Sequence, residues 1–235
     1  MQASAEPGHT FGRVADAYAR TRPEYSRAAV AFAAEELGLG AEATVLDLAA
    51  GTGKLTRALR ERFATVIAVE PDDAMRAYIE DGAVAGTAEA IPLADASVDG
   101  VFVGEAFHWF DYERALAEIR RVLRPGGGLA ILARGWGEIP PPLKADLDEI
   151  WARFHRPGAR GEFPNWRDHI QPQGPERFVD TLLVSGRDLV DLWLTGSTPA
   201  SIPEEERRAI AARAYPALEG SHELELTTDV YWTTP

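Results

Sequence analysis

The stretch from Thr44 to Gly53, TVLDLAAGTG, restricts this chain more than any other. A short aliphatic run ends in two glycines, and Leu55, Leu59 and Phe63 follow at i, i+4 and i+8. The run reads as a buried strand and the spacing after it as one face of a helix. Strand, glycine turn and helix in that order make a place where backbone approaches a ligand closely, and some positions there need positive φ. Asp47 lies inside the run. Glu70 comes roughly 20 residues later, the distance at which an acid reaches a ribose, at the end of a second run, Val66 to Val69.

The pattern continues on both sides. Phe11, Val14, Ala15 and Tyr18 fall on one helical face, which Arg22-Pro23 stops because a residue before proline is pushed out of the α region. Ser26 opens a second helix with Val30, Ala33 and Leu37 inward, closed by Gly38. Asp72 is placed to cap a helix carrying Met75 and Ile79. Val84-Ala85 is a short strand candidate, and Val98 to Val103 a stronger one. Asp111 precedes a helix presenting Leu116, Ile119 and Leu123, which Pro125-Gly-Gly-Gly128 ends before a buried strand, Leu129 to Leu132. Phe178 to Val184 reads as a strand, and Ser201-Ile-Pro-Glu204 as a capping box. Glu223 to Trp232 alternates as a half-buried strand at or near an edge. Short strands separated by helices give a doubly wound α/β fold with a parallel sheet covered on both faces.

Composition removes several functions. Lys and Arg number 24 against 37 Asp and Glu, a net charge of −13, whereas a nucleic-acid binder carries a basic footprint. No run approaches the roughly 20 apolar residues of a membrane span, and MQASAEPGHTFGR lacks a basic-then-apolar leader, so a cytoplasmic setting is expected. The absence of cysteine excludes disulfides, thiolate metal sites and a cysteine nucleophile. His155 and His169 stand in neither HxxxH nor HxH spacing, so no metal is expected.

Three ligand classes compete for the glycine turn. A phosphate-cradling P-loop needs GxxxxGK[ST], but position 48 is Leu and Lys54 is followed by Leu55. A dinucleotide fingerprint needs Gly or Ala where Thr56 stands, and Asp47 would face an incoming pyrophosphate with like charge. The ligand that remains has a positive end for Asp47 and ribose hydroxyls for Glu70. An amino-acid–nucleoside conjugate such as S-adenosylmethionine has both.

The strings VLDLAAGTGKLT (45–56), VIAVEPDDAM (66–75), GTAEAIPL (86–93), VDGVFVGEAFHWFD (98–111) and LRPGGGLAIL (123–132), in this order and spacing, resemble the class I S-adenosylmethionine-dependent methyltransferases. Within these, the chain resembles the small-molecule branch of ubiquinone/menaquinone-biosynthesis and trans-aconitate type. The resemblance implies a Rossmann-like seven-stranded sheet with an antiparallel last strand, in a single domain over 1–235. Residues 1–40 would be capping helices, 41–135 the cofactor-binding core, 136–175 a helical, aromatic lid insertion and 176–235 the remainder of the sheet and helices. It implies that Asp47, Ala49, Gly51 and Gly53 line the methionine portion and that Glu70 holds the ribose. Pro71 and Met75 would flank the adenine, Ala88 and Glu89 would meet its edge, and Glu105, Ala106 and His108 would sit beside the sulfonium. Tyr18 and Arg22 would cover the cofactor. Two positions depart from the family pattern: Ala49 stands where Gly is frequent, and Thr87 where Asp is frequent, which moves the adenine contact toward Ala88 and Glu89.

Plainer readings stay open beside these. Asp47 could cap the following helix, Glu70 could be a solvated turn residue, and Tyr18 and Arg22 could be an ordinary helix end. His108, in Phe107-His-Trp-Phe110, could act as a base or simply line a pocket. The stripe Leu143, Leu147, Ile150, Trp151 and Phe154 reads as the inner side of a lid. Trp109, Trp136, Trp151 and Phe154 are the candidate substrate contacts, with Phe163 and Trp166 nearby. The expectation is methyl transfer from S-adenosylmethionine to a small organic acceptor with a hydrophobic or aromatic part, involving no nucleic acid and no membrane. The alternative is a binder of the same cofactor used for another reaction or for regulation.

Overall fold

In the computed structural model, which describes residues 15–154, 166 and 169–234, the six strands among those residues form one mixed sheet in the order β2-β1-β3-β4-β6-β5. They are β1 (Thr44–Leu48), β2 (Thr65–Val69), β3 (Val98–Gly104), β4 (Leu123–Trp136), β5 (Gln173–Ser185) and β6 (Ser221–Thr233). β1 runs parallel to β2 and to β3, with Asp47 opposite Ala68 on one side and Phe102 on the other. β3 runs parallel to β4, Gly104 facing Leu132. The chain leaves β1 outward to β2 and returns across it to β3. That reversal places a crevice beyond the carboxyl ends of β1 and β3, where open α/β sheets bind ligands.

Two compact units divide the chain. The sheet unit comprises Pro23–Gly135, Pro164–Val179 and Thr227–Pro235, and the helical unit Met1–Arg22, Trp136–Phe163 and Asp180–Leu226. In the sheet unit, alternation along each strand sends neighbouring side chains to opposite faces. Leu46, Leu48, Val101, Val103, Leu129 and Ile131 pack with Leu116, Ile119 and Val122 of α5 (Tyr112–Val122). Val45, Phe102, Ala130 and Leu132 pack with Ala29, Val30 and Ala33 of α2 (Arg27–Glu36) and Leu55 and Leu59 of α3 (Lys54–Arg60). Both faces are therefore covered, as the strand-and-helix pattern predicts. The Asp72 cap follows the sequence as well: Asp72 accepts from the Ala74 and Met75 amides at the start of α4 (Asp73–Arg76). Asp111 also accepts from the Arg114 amide at the start of α5.

Several expectations change. Val84 makes only one parallel bridge, to Val69, so the short strand expected there is not built and the described sheet has six strands rather than seven. α5 ends at Val122, and Leu123, expected on the helix face, is already the first residue of β4. The Pro125–Gly128 run lies inside that strand. A Cβ at Gly128 would meet Leu37 Cδ2 at 2.5 Å and the Thr233 carbonyl oxygen at 3.1 Å, so a larger residue there requires Leu37 to move. Ser201 does not cap the helix after it. That helix, α9 (Glu204–Ala214), has Pro203 at its cap position and no side-chain cap, which puts Ser201 too far upstream to reach the first amides.

The helical unit has a core of its own. It contains α1 (Ala15–Thr21), α6 (Pro141–Phe154), α7 (Gly186–Leu194), α8 (Ser197–Ala200) and α9. Leu143, Leu147 and Ile150, spaced i, i+4 and i+7 along α6, are fully buried with Val190 and Leu194 of α7 and Ile210 and Ala214 of α9. Of the stripe read as the inner side of a lid, Leu143, Leu147 and Ile150 are thus on the inward face of α6 in this core, with Trp151 packed against it. Arg20 of α1 pairs with Asp191 of α7 at 2.5 Å, and Arg213 of α9 with Asp146 of α6 at 2.6 Å. Residues 155–165 and 167–168 of the expected insertion, including His155, Phe163 and Asp168, lie outside the described residues.

Candidate active site

Asp47 sits near the carboxyl end of β1 with 1% of its surface exposed. Its Oδ2 accepts from Thr56 Oγ1 at 2.5 Å, while its Oδ1 is buried with no hydrogen-bond partner among the described residues. Burial pushes the carboxyl up to about 7; Glu70 adds repulsion, and the Thr56 bond opposes both. A carboxylate held this way gains most from a cation with N–H donors placed against Oδ1.

The turn after β1 is held by backbone in the left-handed region at three of five positions: Ala49 (φ 58°), Gly51 (φ 57°) and Gly53 (φ 78°). Gly53 also stands at the cap position of α3, where a Cβ would press on Ile79 Cγ1 at 3.0 Å. At Ala49 the family pattern of glycine has a direct physical cause, since a Cβ in this region costs about 1–2 kcal/mol.

Glu70 joins this turn to the next. Its Oε2 accepts from the Gly51 amide at 2.8 Å and its Oε1 from the Asp72 amide at 2.9 Å. It is buried, and that burial raises its carboxyl while the two amides pull it back. The plain alternatives for the two acids therefore fail. Glu70 is not a solvated turn residue, and Gly53, not Asp47, occupies the cap position of α3. Each Glu70 oxygen keeps a second lone pair for another donor. Met75 is buried beneath this turn, and Pro71 is exposed beside it.

Ala88 is buried in the core on the α5 side of the sheet. Glu89 accepts from the Asp111 amide at 3.0 Å, fastening its loop to the start of α5. Beyond β3, Glu105 adopts φ 56° and its Oε1 accepts from the Arg134 amide at 2.5 Å. Ala106 packs against the core on the α5 side. His108 follows in a 3-10 turn, Phe107–Trp109, with its ring 4.8 Å from that of Trp109, which is 38% exposed. Burial holds the His108 ring down to about 4, so it is neutral throughout the physiological range.

Tyr18, Arg22, Trp136 and Trp151 belong to the helical unit. There the Arg22 guanidinium lies 5.1 Å from the Tyr18 ring and 4.5 Å from that of Trp136. Phe154 closes α6, its side chain outside the described set. Two contributors to the site escape sequence reading. Thr56, which argues against a dinucleotide fingerprint, is the anchor of Asp47; its i, i+3 spacing from Leu59 was the available signal. Arg134 is buried at the end of β4, with its guanidinium 4.1 Å from the Tyr25 ring and Nη1 donating to the Pro23 carbonyl at 2.7 Å. No motif marks it. Among the described residues no His, Asp and Glu cluster could hold a metal, and no helix is long and apolar enough to cross a membrane.

A glycine turn after the first strand, a buried acid within that strand and a second acid at the end of the next form a candidate nucleoside-cofactor site on an open α/β sheet. Residues 46–131 match the methyltransferase domain family. An uncharacterized methyltransferase of Mycobacterium tuberculosis is 35% identical over 92% of this chain and 91% of its own length. A malonyl-[acyl-carrier protein] O-methyltransferase of Methylococcus capsulatus is 38% identical over 46% of this chain and 42% of its own. In fold, the chain is similar to a solved protein of Anaeromyxobacter dehalogenans assigned as a type II methyltransferase, with a TM-score of 0.63 and 23% identity, covering 90% of this chain and 97% of that one. The chain belongs to the class I S-adenosylmethionine-dependent methyltransferases, and it is a methyltransferase enzyme.

Proposed function

We propose that this enzyme moves the methyl group of S-adenosylmethionine to a small organic acceptor with a hydrophobic or aromatic part. The observation that carries the reading is Asp47 Oδ1, a buried acceptor without a partner among the described residues and one turn from the glycines. An α-ammonium group satisfies both its charge and its hydrogen-bonding capacity. In this reading Gly51 and Gly53 bring backbone to the methionine portion, and the remaining lone pairs of Glu70 accept from the ribose hydroxyls. Pro71 and Met75 flank the adenine, with Ala88 and Glu89 at its edge, and Glu105 and Ala106 lie toward the sulfonium.

The cofactor supplies a methyl carbon already activated for in-line displacement. The protein's tasks are alignment, exclusion of water and, for some acceptors, removal of one proton. His108 suits the first task better than the last, because a ring held near 4 is a weak base at neutral pH. His108→Ala should therefore weaken acceptor binding and change kcat less than about tenfold, whereas a loss of about 10²–10⁴ in kcat would mark a base.

The direct test is calorimetry followed by product analysis. S-adenosylmethionine and its demethylated product should bind with micromolar affinity, about −8 kcal/mol, and NAD should give no signal. Acceptor-dependent formation of the demethylated product would establish the transfer. Cofactor binding with no turnover on any acceptor, including aromatic ones, would favour a repurposed binder.

A further inference from the structure

The helical unit holds a cavity of about 150 Å³ walled by the indoles of Trp136, Trp151 and Trp193, by Leu192 and Pro199, and by Arg22. That volume is the size of cavity that accommodates a benzene ring. Three indoles around one space provide flat π faces, which prefer a planar ring to a bulky aliphatic group. No residue lining the cavity carries a carboxylate, so its charge comes from Arg22. Trp193 adds a donor: its Nε1 is buried and has no hydrogen-bond partner among the described residues. An indole N–H left that way is a cost that an incoming acceptor oxygen removes.

Ring-sized space, a guanidinium and an unsatisfied donor call for a ligand that is flat, small and anionic at one end. We propose that this cavity binds a small aromatic carboxylate, the ring between the indoles and the carboxylate toward Arg22 and the Trp193 N–H. The assignment concerns the helical unit alone and does not depend on which cofactor the glycine turn takes. If it holds, aromatic acids become the first class to screen as methyl acceptors.

Benzoate is the probe, and benzamide its neutral counterpart of the same shape. Titrated into the full-length protein, benzoate should bind at least tenfold more tightly than benzamide. Arg22→Gln should bring the two within about threefold of each other, because only the anion uses the guanidinium. Arg22→Lys, which keeps the charge but loses the planar fork, should fall between and serves if the glutamine variant does not fold. Trp193→Phe keeps an aromatic wall and removes the N–H. It should weaken benzoate three- to tenfold while leaving the ligand-free protein as stable as before or slightly more so, which a merely structural indole would not do. Trp232→Phe, an indole of the sheet unit, should change neither affinity. Equal affinity for benzoate and benzamide, absence of binding at millimolar concentration, or benzoate binding untouched by the Arg22 and Trp193 variants would overturn the proposal.

Discussion

The sheet unit buries acids, and the helical unit buries hydrocarbon. In the first, Asp47, Thr52, Thr56, Glu70 and Asp72 are all buried around one turn, and burial raises both Asp47 and Glu70. In the second, the facing sides of α6, α7 and α9 are aliphatic, and its charged side chains pair toward solvent, as in Arg213–Asp146 and Lys144–Asp148. Burial of hydrocarbon stabilises in proportion to the area removed from water. Burial of an acid costs free energy unless a partner arrives. The aliphatic core of α6, α7 and α9 needs no ligand, while in the proposed reading a cationic ligand supplies the partner that Asp47 Oδ1 lacks among the described residues. The α6–α7–α9 core should respond to mutation in stability, and the turn around Asp47 in cofactor affinity.

The largest effect is expected in the helical unit. Leu147 is fully buried in the α6–α7–α9 core, and Leu147→Ala should lower unfolding free energy by about 2–5 kcal/mol, read by denaturant titration. A loss below about 1 kcal/mol would mean that the core collapses around the deletion, and the contrast between the units would weaken.

Glu70→Gln comes next and touches both quantities. One carboxylate oxygen becomes an NH₂ facing either the Gly51 or the Asp72 amide, donor against donor. Stability should fall by about 1–2 kcal/mol through the unsatisfied amide. Affinity for S-adenosylmethionine should fall about ten- to a hundredfold, and equally for its demethylated product, since the ribose is the same in both. Normal cofactor affinity in this variant would remove Glu70 from the ribose contact.

Ala49→Gly is the smallest change and sharpens the contrast from the other side. Relief of left-handed strain is offset by the greater freedom of glycine in the unfolded chain, so stability should rise by only about 0.5 kcal/mol, seen as a small increase in Tm. A clear loss would show that the Ala49 methyl contributes packing that outweighs its strain.

The same contrast explains what the sequence disclosed. Around the turn the signals are local: Asp47, Gly51, Gly53, Glu70 and Asp72 fall within a span where spacing and residue type state the chemistry, and the structure brings them together. Capping by Asp72 was legible for the same reason. The helical core was not, because Leu147 of α6 meets Ile210 of α9 across a long stretch of chain, and a stripe of apolar residues does not name its partner. The direct passage of α5 into β4 was not legible, because Val122 and Leu123 are both buried and periodicity alone cannot divide a helix end from a strand start. Ser201-Ile-Pro-Glu204 has the form of a capping box, but the helix begins at Glu204 itself. Thr56 and Arg134 act through partners that only the packed sheet supplies.

In the proposed reading Asp47 pairs with the α-ammonium group of the cofactor, and the pH dependence of cofactor binding is the measurement that decides it. With its carboxyl at about 7 in the ligand-free protein, Asp47 must lose a proton to pair with the cation. Affinity for S-adenosylmethionine should therefore rise close to tenfold per unit from about pH 5.5 to about 7, and fall again once the ligand's own α-amino group, near 8, deprotonates. Asp47→Asn should bind at least tenfold more weakly at neutral pH and lose the rising limb, while retaining the Thr56 hydrogen bond and the fold. A wild-type profile that is flat across that window, or an Asp47→Asn protein that keeps the same slope, would contradict the account.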